Sequence, residues 1–300
     1  SDNPLEWISS KSGDKSYVPM NTGDNTSALL KLGFNFIKGV RFSLLNSYSN
    51  DTWYWYDHSM KYNPDGRVGS HKNTFYSAFQ VNHMITPKFF YELKIAYMKN
   101  KTGTYLYEDS LDARYVHDKY LESYGSGFFT GGQQKEHTKH RDLDQTIKFD
   151  VTWQANHNHS FKLGLMGISH GVKHKWQMIR NKYDGQSDLS LYEPEVFGDS
   201  TVYADIFEVK PKEAAAYIQD KMEFENMVIN FGIRYDYFDP ASYYPSDRRN
   251  PANQLVLPDS MMSTQVDAPV IDQISPRVGF AYQLGSQAVL HFSYGHFFQM

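Results

Sequence analysis

Cysteine is absent from these 300 residues, which excludes disulfide staples, thiolate metal sites and a cysteine nucleophile together. No apolar run approaches the ~20 residues that a membrane-spanning helix needs. Positive charge is not in surplus either. The net charge is −4, so the basic footprint that nucleic-acid binding requires is missing and nucleic acid is set aside as a partner. Ser1 to Trp7 lack the basic segment followed by an apolar one that marks a secretory leader. Local chemical signatures are missing as well: the chain has no Gly-x-Ser-x-Gly, no His-Glu-x-x-His and no phosphate-cradling glycine loop. We therefore expect no catalytic residue, no cofactor and no enzyme.

Aromatic residues are what the chain has in quantity: 16%, with 23 Tyr and 20 Phe. A mean hydropathy of −0.60 with 40% apolar residues would suit a soluble protein of one or two domains. Averages do not decide the matter, because a transmembrane strand needs only about 10 residues and only alternate ones must be apolar.

That alternation occurs in five pairs of segments, each pair joined by a very short turn. Leu30, Leu32, Phe34 and Phe36 turn at Lys38 and Gly39 into Val40, Phe42 and Leu44. Phe75, Phe79 and Val81 turn at Thr86 to Lys88 into Phe89, Tyr91, Leu93, Ile95 and Tyr97. Ile147, Phe149, Val151 and Trp153 turn through Asn156 to Ser160 into Phe161, Leu163 and Leu165. Ala214, Ala216, Ile218, Met222 and Phe224 turn at Glu225 and Asn226 into Met227, Ile229, Phe231, Ile233, Tyr235 and Tyr237. Ile274, Val278, Phe280 and Tyr282 turn at Leu284 to Gln287 into Ala288, Leu290, Phe292 and Tyr294. Asp220 alone falls on an apolar face. Long polar connections, 51–72, 101–143, 172–211 and 239–271, all lie on the opposite edge from the short turns, and Asp51 to Tyr62, with Trp53 to Tyr56, and Thr104 to Tyr107 look extended, so strands are expected to project past the bilayer.

This rhythm predicts an all-β antiparallel transmembrane β-barrel, about ten strands of a larger one, with short periplasmic turns and long extracellular loops. Residues 1–27 are expected to be an extracellular loop or the end of a preceding strand, and 28–300 a partial barrel. Both ends then lie on the long-loop side, whereas a complete bacterial barrel begins and ends in the periplasm, so strands are expected beyond both ends. Proline is confined to loops, turns and strand starts, and Pro276, the one that comes near a strand interior, is expected at the beginning of its strand. Aromatic girdles are expected at Tyr48, Trp53, Trp55, Tyr97, Tyr235, Tyr237, Tyr294 and Phe297 on the long-loop side. On the short-turn side the candidates are Phe36, Phe89, Trp153, Phe161 and Phe224.

The last two hairpins, KEAAAYIQDKMEFENMVINFGIRYDYFDP and ISPRVGFAYQLGSQAVLHFSYGHFFQ, resemble the barrel region of TonB-dependent outer-membrane receptors. The resemblance is to those that carry a carboxypeptidase-regulatory-like domain. It lies in Tyr217, Gln219 and Asp220, in Gly232, Arg234, Tyr235 and Asp236, in Ser275, Pro276, Arg277 and Gly279, and in Ser293, Tyr294 and Gly295. It covers roughly 212–300; only the pattern extends over 28–172. It implies a twenty-two-stranded barrel around a plug, in the outer membrane of a Gram-negative bacterium. It also implies TonB-energised import of a scarce nutrient of the siderophore, vitamin, glycan or peptide class. The plug and the TonB-contacting segment are not in this sequence. Outer-membrane lipid, the TonB complex, the nutrient and a surface lipoprotein are the partners such a receptor would have.

Candidate site residues follow from position. Arg41, Lys94, Lys148, Asp150, Lys162, Arg234, Asp236 and Arg277 alternate with the apolar residues and would line a lumen, where the resemblance gives them a plug to meet. Trp53, Trp55, Tyr105, Tyr107, Tyr243 and Tyr244 stand in or beside the long connections and offer flat rings for stacking on a ligand, against the plainer roles of girdle and loop packing. His137 and His140, followed by Arg141, Asp142 and Asp144, are a weak metal-ligand candidate in the second long loop, where a solvated charged loop explains them equally. His170 and His174 stand four apart on a strand, about 13 Å, too far to share an ion. His157 and His159 belong to a polar turn. Two other classes stay open. A compact barrel enzyme would close into a ring with His and carboxylate at its rim, and a soluble all-β module would cover its apolar faces with a second sheet.

Overall fold

The computed structural model describes residues 21–298, apart from 122, 125–126, 130, 189 and 255–259. Ten strands follow one another: β1 (Thr22–Ile37), β2 (Val40–Tyr54), β3 (Gly69–Thr86), β4 (Phe89–Tyr105), β5 (Glu136–Gln154), β6 (His159–Met178), β7 (Lys212–Phe224), β8 (Met227–Asp239), β9 (Ile271–Leu284) and β10 (Ala288–Gly295). Each pairs antiparallel with the next, in chain order, as one open sheet. An additional strand, Ala204–Val209, pairs with the upper part of β6, and β7 takes over the same edge of β6 from Ser169 downward. Among the described residues no helix is long and apolar enough to cross a membrane.

The expected hairpins and turns are all present. The turn between β1 and β2 depends on Gly39. Its φ is +81°, and a Cβ there would lie 2.7 Å from the Met84 carbonyl oxygen, so both conformation and space require glycine. Asn156 closes the β5–β6 turn by accepting from the backbone N–H of Asn158 at 2.8 Å and of His159 at 3.0 Å.

The strands run further than the apolar pattern does. β1 begins at Thr22, so residues 22–27, expected to be an extracellular loop or the end of a preceding strand, belong to β1 itself; the reading of residues 1–20 lies outside the described residues. β4 reaches Tyr105 and β5 starts at Glu136, well inside the expected 101–143 loop. Apolar alternation stops where lipid would stop, whereas the backbone ladder continues into water on its own hydrogen bonds. Pro276 is a second correction, since it lies inside β9 opposite Ile233. Its carbonyl accepts from His296 N at 3.1 Å on the β10 side. Its nitrogen therefore faces that same side, just past the last β9–β10 pair, Arg277 with Gly295, and no bond to β8 is lost.

The apolar face lies bare. Leu165 is 51% exposed, Ile147 53% and Trp153 49%, and among the described residues no second layer of protein covers the Phe149, Val151, Trp153 flank. Tyr48, Tyr97, Tyr235 and Tyr294 ring its upper margin on the same face as these residues. Three expected girdle members do not join them. Trp53 alternates onto the polar face with Arg41, Trp55 lies past the end of β2, and Phe297 packs under the Arg277 guanidinium at 4.8 Å. Asp220, the exception on the apolar face, is paired with His159 Nδ1 at 2.7 Å. His159 is the first residue of β6 and not part of the turn.

Above the sheet the long connections have a small core of their own. Met60, Asn63, Tyr115, Gln133 and Ile179 are buried there. Asn63 Nδ2 donates to the Gly132 carbonyl at 2.8 Å, and Gln134 N donates to that of Gly66 at 2.8 Å, so the loop after β2 is fastened to the loop before β5.

Candidate functional site

Register places Arg41, Lys94, Lys148, Asp150, Lys162, Arg234, Asp236 and Arg277 on one face of the sheet, opposite the exposed apolar residues. Like charges meet directly across β4 and β5, Lys94 opposite Lys148 and Glu92 opposite Asp150, so attraction runs along the strand instead: Lys148 Nζ is 2.9 Å from Asp150 Oδ2. Asp150 also accepts from the Tyr217 hydroxyl at 2.7 Å. Tyr217 belongs to β7 and reaches β5 by crossing β6 at Gly164, where any Cβ would stand 2.1 Å from its ring. Arg234 holds Asp236 at 2.8 Å beside the fully buried Ser275. A concavity of about 700 Å³ opens here, lined by Lys162, Tyr217, Gln219, Arg234, Arg277 and Phe297 among others.

Higher on the same face lies a second group that the sequence reading took no account of as a unit. His170, from β6, bridges Asp144 of β5 (Nδ1 to Oδ1, 2.6 Å) and Glu213 of β7 (Nε2 to Oε1, 3.0 Å). His140 Nε2 meets Asp142 Oδ1 at 2.8 Å, and its Nδ1 faces that of His174 at 3.4 Å. Asn100 connects to Asp142 at 3.5 Å and accepts from Thr74 at 3.0 Å. The signal was in the sequence as polar residues at even spacing beyond the apolar run, Asn100, His140, Asp142, Asp144, His170 and His174. Its meaning depended on knowing how the strands pair there.

His137 and His140 are corrected accordingly. Both are on β5 and not in a loop, and three residues along a strand put them on opposite faces, so they cannot hold one ion. No metal-ligating group of three or more is present among the described residues. His137 is buried on the apolar side, where its Nε2 is 3.1 Å from the Glu108 carbonyl oxygen. Burial holds its pKa below the ordinary value, and Lys139 and Lys175 push the same way.

The six aromatics proposed for stacking are dispersed. Tyr105 is sandwiched on the outer wall between His71 (4.4 Å between ring centroids) and His137 (5.2 Å). Tyr107 is packed with Tyr115 at 4.9 Å and under the Arg114 guanidinium at 4.0 Å, and its hydroxyl accepts from Gln133 at 3.0 Å. Burial raises the Tyr115 phenol to about 12. Tyr244 lies under Arg248 at 4.5 Å. Trp53 faces the polar side at the top of β2. Only Trp55, 70% exposed, and Tyr243, 67% exposed, present most of their rings outward.

A family model described as an outer membrane beta barrel domain matches residues 8–300. No curated protein matches. Among solved structures, the unliganded ferric citrate transporter FecA superposes with a TM-score of 0.58 at 12% identity, covering 92% of this chain and 36% of its own. The siderophore receptor PiuA from Acinetobacter baumannii gives 0.55 at 12%, covering 92% and 42%. The ferric-catecholate import receptor Fiu from E. coli K12 gives 0.53 at 11%, covering 91% and 43%. The chain thus spans less than half the length of these structures, and the likeness is one of fold.

Proposed function

The chain belongs to the outer membrane beta barrel domain family, and from that premise we propose that it forms part of the wall of a TonB-dependent importer in the Gram-negative outer membrane. The observation that carries the reading is the two-sidedness of one continuous sheet, bare and apolar on one side and densely ion-paired on the other. Lipid would cover the first. A plug and passing solute would meet the second, with Arg41, Lys94 and Arg277 offering charge to the plug and Trp55 and Tyr243 offering rings to an arriving ligand. Ferric chelates come first among ligands to try, since two of the structures of like fold are named for ferric citrate and ferric catecholate; vitamins, glycans and peptides follow.

His and carboxylate do stand together here, as the enzyme alternative requires. Yet His170 has a carboxylate on each ring nitrogen, and His140 is held by Asp142 and His174. Neither ring keeps a free lone pair directed at a hydroxyl, which favours a structural or solute-lining role over general-base catalysis.

Uptake of labelled ferric citrate, ferric catecholate, cobalamin, oligosaccharide and peptide into cells with and without the full-length protein tests the reading. One ligand should enter only when the protein is present, and a protonophore should abolish its entry. Uptake unchanged by the protein across all five sinks the proposal.

A further inference from the structure

Three strands carry the same arrangement just above the apolar band. Lys99-Asn100-Lys101 on β4, Lys139-His140-Arg141 on β5 and Lys173-His174-Lys175 on β6 put their middle residues on the polar face and their cations on the lipid side. Register then stacks the cations. Lys101 lies directly opposite Arg141, and Arg141 opposite Lys173. One step higher Lys139 lies opposite Lys175. Like charges directly opposite on one face of a sheet repel. Lys173 has Glu208 at 3.3 Å, but among the described residues no carboxylate comes within ion-pair distance of Lys101, Lys139, Arg141 or Lys175. A concavity of about 720 Å³ opens over them, with Asn50, Asn73, Tyr105 and one carboxylate residue, Glu108, at its margin, against the cations Lys72, Lys101, Lys139, Arg141, Lys173 and Lys175.

We propose that this cationic row is a docking site for the phosphate groups of a lipid in the outer leaflet of the membrane. Neighbouring strands are about 4.8 Å apart, so Lys101, Arg141 and Lys173 span roughly 10 Å, wide enough for two phosphates side by side. Below the row, on the same face of the same strands, come first Lys99, Leu143 and Gly171, then Tyr97 with Gln145 and Ser169, and then the apolar band that Ile95, Ile147 and Leu165 open. A ligand that satisfies both levels at once is an amphiphile with an anionic head and acyl chains. The cations are not aimed at solute on the transport side, because alternation turns them to the lipid. The inference rests on the family's membrane location and stands whether or not the protein imports anything.

Full-length protein, stripped of native lipid in detergent, would be titrated with bis-phosphorylated lipid A and with the same lipid dephosphorylated, and retention read by native mass spectrometry. K101Q–R141Q–K173Q should bind the phosphorylated lipid about tenfold more weakly or worse, while K101R–R141K–K173R should retain it. The dephosphorylated lipid should bind wild type no better than the glutamine variant binds the phosphorylated one. A heat-modifiable electrophoretic shift confirms folding, and K139Q–K175Q supplies a second, independent loss should the triple variant misfold. Equal binding by wild type and the glutamine variants overturns the proposal, as does equal affinity for the two lipids.

Discussion

Asn100, His140 and His174 lie between pairs of cations in sequence, and only a peptide's thickness separates the two sets in space, yet their surroundings are opposite. On the polar face every one of the three has a partner: Asn100 with Thr74 and Asp142, His140 with Asp142, and His140 with His174. On the other face Lys101, Arg141 and Lys173 stand in line, and among the described residues one carboxylate, Glu208, pairs with them. A sheet edge or a loop could rearrange to spread such charge. A ten-strand ladder cannot, because shifting register by one residue would exchange the two faces entirely. Compensation must therefore come from within the sheet on one face and from outside it on the other.

That contrast can be broken most forcefully lower down. Leu165→Lys, on the bare apolar face, should cost about 2–4 kcal/mol in lipid vesicles, while Gln219→Lys on the polar face should move the urea midpoint hardly at all; equal effects would mean that the faces are misassigned. Gly164→Val drives a side chain into the Tyr217 ring and should cost about 2 kcal/mol, against about 1 for Tyr217→Phe, which removes only the hydrogen bond to Asp150. Should the two variants unfold alike, the crossing of β6 by Tyr217 is not tight. In lipid-free detergent without phosphate, K101Q–R141Q–K173Q should unfold later than wild type, by roughly a few tenths of a kcal/mol per relieved pair. A destabilised variant there would show that the row is compensated by the protein itself.

The smallest effect concerns acid. His137 is neutral when folded because burial lowers its pKa, and His71, stacked on the other side of Tyr105, is lowered by the same cause. Unfolded, each titrates near 6.5, so the unfolded chain binds more protons between that pH and the folded value. Stability from these rings is complete above about pH 6.5 and is lost as pH falls. His137→Gln should make the decline between about pH 6.5 and 5 shallower without abolishing it, and an unchanged slope would contradict the assignment.

Sequence periodicity identified the strands where lipid imposes alternation, and the short turns where Gly39, Pro87 and Asn156 mark them. The extended look of Thr104 to Tyr107 pointed to strands that project past the bilayer, but periodicity set no bounds or pairing for the upper halves of β3 to β6, which carry no apolar stripe. Lys99, Lys101, Lys139, Arg141, Lys173 and Lys175 were nonetheless legible as three alternating cation pairs, and became a row only once the pairing of β4, β5 and β6 was known. Tyr105 and Tyr107 look like ligand platforms in one dimension and turn out to be enclosed by His71, His137, Tyr115 and Arg114. Nothing local in a sequence distinguishes a ring that faces solvent from one that another loop covers. Parity alone is enough to put the charges from Arg41 to Arg277 on one face, opposite the apolar residues, because parity survives any length of uninterrupted ladder.

The phenol of Tyr217 gives the wall a mechanical property that ladder bonds do not. Hydrogen bonds between adjacent strands let each strand slide against its neighbour independently, whereas a tie anchored on β7 and fastened at Asp150 on β5 holds three strands as a single plate. Shear applied to β6 alone, as when a load is dragged past it, would be shared by its flanks before any single seam could open.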